Sequence, residues 1–90
     1  DCVTLWCTNF FFDVNADTDS ALAAAKEEFD RFTKQDATFI FVTNEIGMGA
    51  TSDNEIQRKF TDMQGWMNQY IAEHADEVWL MVSGIEVKVK

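Results

Sequence analysis

Apolar residues run almost unbroken through residues 3–13 (VTLWCTNFFFD), a stretch too long for one strand and poor in strong helix formers. Thr4, Thr8 and Asn9 fall on nearly one side of it at helical spacing, which predicts a short buried helix or turn. Asn15, Asp17, Thr18 and Asp19 then offer loop and N-cap chemistry. Between residues 20 and 34 the pattern is plainly amphipathic: Leu22, Ala25, Phe29 and Phe32 form one stripe, with the acid-before-base pairs Glu27–Arg31 and Asp30–Lys34 on the wet side.

Residues 38–43 (TFIFVT) are β-branched and aromatic with no alternation, the signature of a strand buried on both faces of a parallel sheet. They end in Asn44-Glu45-Ile46-Gly47-Met48-Gly49-Ala50, where two glycines mark a sharp turn or a close approach of another group. Ser52 and Glu55 have capping-box spacing and predict a helix running from there to about residue 75. Its buried stripe is Ile56, Phe60, Met63, Met67, Tyr70 and Ile71, and Gly65 within it suggests that another element packs closely. Residues 77–82 (EVWLMV) read as a second buried strand. Ser83-Gly84 is a two-residue turn, and residues 85–90 alternate as a half-exposed edge strand carrying Lys88 and Lys90. Trp6, Trp66 and Trp79 are expected in the core. The order of elements is that of an α/β domain whose parallel strands end in an antiparallel hairpin, and the pattern reads as part of a larger sheet.

Composition narrows the function. With 90 residues, 47% of them apolar and eight Phe and three Trp, one domain with a packed core is expected. The formal charge of −9 repels phosphate backbones, so nucleic acid is not an expected partner, whereas a nucleotide needs only a local nest or helix N-terminus. No run reaches the roughly 20 apolar residues of a membrane span, and no signal peptide is visible. Cys2 and Cys7 have neither redox nor zinc spacing, and with no Lys, Arg or His close in sequence they read as packing thiols in a reducing, cytoplasmic setting. His74, near a helix C-terminus, reads as a surface residue complementing the helix dipole. The chain begins at Asp1 without an initiator Met, so its natural N-terminus is expected to be missing or processed.

Ligands of open α/β sheets sit beyond the carboxyl ends of the strands, which singles out Asp1, then Thr43, Asn44 and Glu45, and then Ser83. Asp1 with the Thr43 group would suit a magnesium ion or a phosphate, and strand-end turns with helix-capping side chains would read the same way.

Several motifs are more specific. Asp1-Cys2-Val3-Thr4-Leu5-Trp6 followed by Thr8-Asn9 resembles the segment after the Walker B strand of the bifunctional cobinamide kinase and cobinamide-phosphate guanylyltransferase family. Val42-Thr43-Asn44-Glu45-Ile46-Gly47-Met48-Gly49 resembles that family's most distinctive motif. Arg58, Phe60, Asp62, Gly65, Asn68 and Gln69 have its spacing, and Ala75-Asp76-Glu77-Val78, Val82-Ser83-Gly84-Ile85 and Lys88-Val89-Lys90 resemble its carboxyl terminus. The resemblance implies part of a P-loop, RecA-like three-layer fold and a role in cobalamin biosynthesis. The substrates it implies are adenosylcobinamide and ATP or GTP with Mg2+. Asp1 corresponds to the acid that serves the magnesium, and Asn9, Thr43, Asn44, Glu45, Gly47 and Gly49 would line the nucleotide or corrinoid side. The family's P-loop and its guanylyl-carrying histidine are absent, and His74 does not occupy a family-motif position. No catalytic residue is therefore expected in this segment, nor a cofactor bound to it alone, and self-association is expected. The alternative is a non-catalytic module that binds a corrinoid, a nucleotide or a partner subunit.

Overall fold

The computed structural model describes residues 2–13, 17–44 and 54–90. Three helices, α1 (Val3–Asp13), α2 (Thr18–Thr33) and α3 (Glu55–His74), precede two strands, β1 (Trp79–Val82) and β2 (Ile85–Lys88). The class is α/β, with the antiparallel carboxyl-terminal hairpin that the turn signal predicts. The apolar 3–13 stretch is the helical one of its two readings.

Each helix gives the core one stripe with a spacing of about one turn: Val3, Cys7 and Phe11 from α1, Ala21, Ala25 and Phe29 from α2, and Met63, Met67 and Ile71 from α3. The small Ala21 and Ala25 let the backbones of α1 and α2 approach, while Phe11 and the two methionines fill the space opposite. Phe60 closes edge-on against Phe11 at 5.4 Å between ring centroids. Across the α2–α3 seam the Tyr70 hydroxyl donates to Asp30 Oδ1 at 2.6 Å, so Asp30 turns to α3 rather than to Lys34. Arg31 binds Glu27 at 3.2 Å and Glu28 at 3.0 Å. Both pairs are solvated and worth at most a few tenths of a kcal/mol each.

Several expectations are corrected. The first helical residue of α3 is Glu55, and its N-cap is Asn54, whose Oδ1 accepts from Ile56 N at 2.9 Å and Gln57 N at 3.3 Å, worth about 1 kcal/mol. Ser52, the expected N-cap, lies outside the described residues. Ile56 and Phe32, at the ends of their predicted stripes, are exposed, although Phe32 rests against the Phe39 ring at 5.1 Å. Among the described residues a Cβ at Gly65 would meet nothing within 4 Å, so no close approach is found there.

The largest correction concerns the sheet. Among the described residues the only strands are β1 and β2, paired Trp79–Lys88, Leu80–Val87, Met81–Glu86 and Val82–Ile85. No parallel pair occurs among them. Residues 38–44 are not a strand, since no neighbour among the described residues exchanges ladder hydrogen bonds with them. Phe39 and Phe41 turn inward, Phe41 to 5.2 Å from Phe29, while Ile40 and Val42 are exposed. The hairpin is uncovered as well, and neither strand packs on a helix. Lys90 ties it back by donating from Nζ to the Ala72 and Glu73 carbonyls at the α3 C-terminus. Ser83 (φ 51°) and Gly84 (φ 79°) are both left-handed, the backbone of a two-residue hairpin turn matched to strand twist. Trp66 and Trp79 are exposed, and Trp6 alone of the three packs against the core.

Gly65 yields a direct test. Gly65→Ala should stabilise the chain by about 0.5–1 kcal/mol, because the helix interior gains a better former and the new methyl meets no obstacle. Urea denaturation measures it; a loss of stability would mean that a close neighbour occupies that face.

Candidate functional site

The end of the extended segment is where the sequence and the fold converge. Val42 O accepts from Val3 N at 2.7 Å, which pins the segment to the first turn of α1. Beyond it the Thr43 hydroxyl donates to Asn68 Oδ1 at 2.6 Å and accepts from Gln64 Nε2 at 2.8 Å. Gln64 Nε2 also reaches Asn68 Oδ1 at 3.3 Å. Asn68 Nδ2 donates to the Asn44 carbonyl at 3.1 Å, and Asn44 Nδ2 donates to Thr4 Oγ1 at 3.0 Å, standing 4.0 Å from Cys2 Sγ.

This network fixes its own orientation. A backbone carbonyl only accepts, so Asn68 must turn its NH2 to Asn44 and its oxygen to Thr43. Gln64 must then present its NH2 to the same pair. Three elements, α1, the extended segment and α3, meet in this one knot. Gln64, fully buried, is the polar side chain sealed into the core, and its Oε1 has no hydrogen-bond partner among the described residues. An unmet buried acceptor costs about 1–3 kcal/mol.

Next to the knot lies a cleft of about 370 Å³ between α1, α2 and the extended segment, lined among others by Cys2, Trp6, Asn9, Glu28, Phe32 and Phe41. Asn9 is exposed at its wall, and Cys2 is common to cleft and knot. The structure thus brings Thr43 and Asn44 together and places Asn9 on the neighbouring cleft. Ser83 is not part of this region, being the turn residue of a hairpin that stands off from the helices. Asp1, Glu45, Gly47 and Gly49 lie outside the described residues. Sequence reasoning did not single out Gln64, although a polar residue one turn from both Phe60 and Asn68 on a buried stripe is a visible signal.

The two thiols differ. Both are free. Burial pushes the Cys7 thiol up to about 12, with Cys2 adding a smaller repulsion. Cys2 immediately precedes α1, and the Leu5 N–H above all holds its thiol below the usual range, with the Thr4 amide and hydroxyl helping against some desolvation. Backbone donors at a helix start thus supply what the absence of nearby Lys, Arg or His had led us not to expect.

Among the described residues no three His, Cys, Asp or Glu side chains come together as a metal site. No described helix is long and apolar enough to cross a membrane.

The family model described as cobinamide kinase / cobinamide phosphate guanyltransferase matches residues 1–89. The chain belongs to this family. Among curated relatives it is 38% identical over 101 residues to the bifunctional adenosylcobalamin biosynthesis protein CobU of Salmonella typhimurium, covering all of this chain and 56% of that protein. The Escherichia coli K12 protein of the same name is 36% identical over 108 residues, with 100% and 56% covered. The bifunctional adenosylcobalamin biosynthesis protein CobP of Pseudomonas aeruginosa is 32% identical over 91 residues, with 100% and 51% covered. The chain therefore spans about half the length of the curated relatives it matches.

The thiol contrast is measurable. Below pH 9 both folded and unfolded Cys7 are protonated, so it adds no pH dependence to stability there. Between the ordinary value of 9.0 and about 12 the unfolded thiol ionises first and stability falls as pH rises. Urea midpoints at pH 8 and pH 10.5 should drop more in the wild type than in Cys7→Ala. In the native chain an alkylating reagent should modify Cys2 first, and Cys7 only on unfolding; equal rates would contradict the assignment.

Proposed function

We propose that the chain is the carboxyl-terminal part of a bifunctional enzyme of cobalamin biosynthesis. In this reading the parent phosphorylates the aminopropanol hydroxyl of adenosylcobinamide with ATP or GTP, then transfers GMP from GTP to give adenosylcobinamide-GDP. The observation that carries the reading is the family match over residues 1–89. The structure supports it at one point: Thr43 and Asn44, which open the T-N-E-I-G-M-G motif, are held by side chains from two helices.

In this reading Thr43 and Asn44 act mainly by holding position, since their side-chain donors and the Asn44 carbonyl are already engaged internally. Asn9 faces substrate from the cleft wall. Glu45, Gly47 and Gly49 supply the closest approach to nucleotide or corrinoid. Magnesium would arrive with the nucleotide phosphates, with Asp1 as its protein carboxylate. The P-loop and the guanylyl-carrying histidine would come from the other half of the enzyme, so the chain alone is catalytically silent. A cytoplasmic location belongs to the same proposal.

The finer fold reading also belongs here. Ile40 and Val42 are exposed on the extended segment, and Leu80, Val82, Ile85 and Val87 share one uncovered face of the hairpin. A RecA-like parallel sheet in the parent would cover such surfaces, and in the chain by itself they favour association with a second copy. The net charge of −9 opposes indiscriminate aggregation.

Two experiments test these proposals. In the full-length enzyme carrying this segment, Glu45→Ala should lower kinase or guanylyl transfer about a hundredfold with little change in Tm, and the 90-residue chain should show no turnover. A large fall in Tm with unchanged turnover would make Glu45 structural, and turnover by the isolated chain would overturn its assignment as catalytically silent. Light scattering over a concentration series should show a discrete dimer or small oligomer of the chain; a monomer throughout would remove the association proposal.

A further inference from the structure

Stability does not explain Gln64. It lies between Met63 and Met67 in a helical core, fully buried, with its carbonyl oxygen unsatisfied among the described residues. An apolar side chain of the same length would fill the same volume without an unmet acceptor. What a glutamine does here that a methionine would not is donate: Nε2 bonds both Thr43 Oγ1 and Asn68 Oδ1. Asn68, one turn further along α3, takes the Thr43 proton and gives one of its own to the Asn44 carbonyl. Both amides therefore act on Thr43, which is engaged as donor and as acceptor at once, and Asn68, itself braced by Gln64, carries the hold on to Asn44.

We infer that Gln64 and Asn68 are positioning residues for the reaction proposed above, a two-amide clamp on α3 that fixes the chain at Thr43 and Asn44 where the T-N-E-I-G-M-G motif begins. The inference rests on that functional reading. The clamp is needed because, among the described residues, 38–44 have no sheet partner to hold them and Val3 N to Val42 O is their one backbone bond to another element. A stretch pinned at one backbone atom has its direction set by side chains. Departures from the most stable core composition are expected where a site must be held in place.

The test uses Gln64→Met in the full-length enzyme carrying this segment. Tm should stay close to that of the wild type, since the two lost Nε2 bonds are offset by removing an acceptor that has no partner among the described residues. kcat/KM should fall about tenfold or more, since a displacement of about 1 Å in a site can cost a hundredfold. By hydrogen exchange the Val3 amide should open about tenfold faster, while the Ala75 amide, bonded to Ile71 O at the far end of α3, stays as it was. Thr43→Val should give the same pattern, and the double variant should lose no more than the worse single one, because both cut the same bond. Unchanged Val3 exchange, unchanged kcat/KM, multiplicative losses in the double variant, or a Tm that falls in step with activity would each overturn the clamp. A wild-type enzyme with neither activity would overturn the functional reading instead, and the two failures are distinguishable because Val3 exchange would still respond to Gln64→Met.

Discussion

A helix built from valine, threonine, tryptophan, cysteine and three consecutive phenylalanines has little reason to form in water, and α1 holds together only because one of its faces is sealed. Val3, Cys7 and Phe11 are the sealed face, and α2 and α3 are the seal. The other features hang on that packing. The first amide of α1 holds Val42, the Thr4 hydroxyl holds Asn44, and the start of the helix lowers the Cys2 thiol while its interior raises the Cys7 thiol. Were α1 to lose its packing, the extended segment would lose its backbone anchor and one of its side-chain anchors together.

Against this apolar seam stands one polar exception. A core of Ala, Met and Phe sets volume and shape but specifies direction weakly, since apolar contacts are tolerant of small displacements. The hydrogen bonds around Thr43 are not tolerant. Gln64 Nε2 serves both Thr43 Oγ1 and Asn68 Oδ1, and reversing either amide of α3 would set oxygen against oxygen. The fold thus divides its tasks: helix packing supplies most of the stability, and a few amides, Gln64 buried among them, hold Thr43 and Asn44 where the motif begins.

The parts of the fold legible in the sequence were those whose physics is local. Period 3.6 marks α2 and α3, the placement of Thr4, Thr8 and Asn9 marks the 3–13 stretch as a helix or turn, of which the helix is found, and Ser83-Gly84 marks a two-residue turn. Burial was less legible, because an apolar run states what would be favourable to bury and does not say what is there to bury it. Trp79, Ile40 and Val42 illustrate this, each apolar and each exposed. Gly65 was read as a close approach for the same reason, and its Cβ position is open. At the site Thr43, Asn44 and Asn9 were legible as candidates, the first two from their place at the end of an apolar run. Their engagement was not, since it depends on Gln64 and Asn68, more than 20 positions away, and no periodicity encodes a pairing across that distance.

The mismatch between what the sequence would bury and what the structure covers is not uniform, and its distribution carries information. It concentrates in residues 38–44 and the hairpin, the stretches that read as strands, while the three helical stripes are buried almost as their periodicity requires. A core ill-suited throughout would expose apolar residues evenly over all elements. Here each helix leaves one or two large apolar residues exposed (Leu5 and Phe12, Phe32, Ile56 and Trp66), whereas the strand-like segments expose Ile40, Val42 and every large apolar residue of the hairpin. On the reading that the chain is part of an enzyme about twice its length, that is the expected pattern: helix stripes find partners among neighbouring helices, whereas a parallel strand needs partners brought from elsewhere in the chain. The knot at Thr43 takes on added weight in that setting, because it holds the end of the segment from α1 and α3, through side-chain donors and the Val3–Val42 backbone bond, whether or not a neighbouring strand is present.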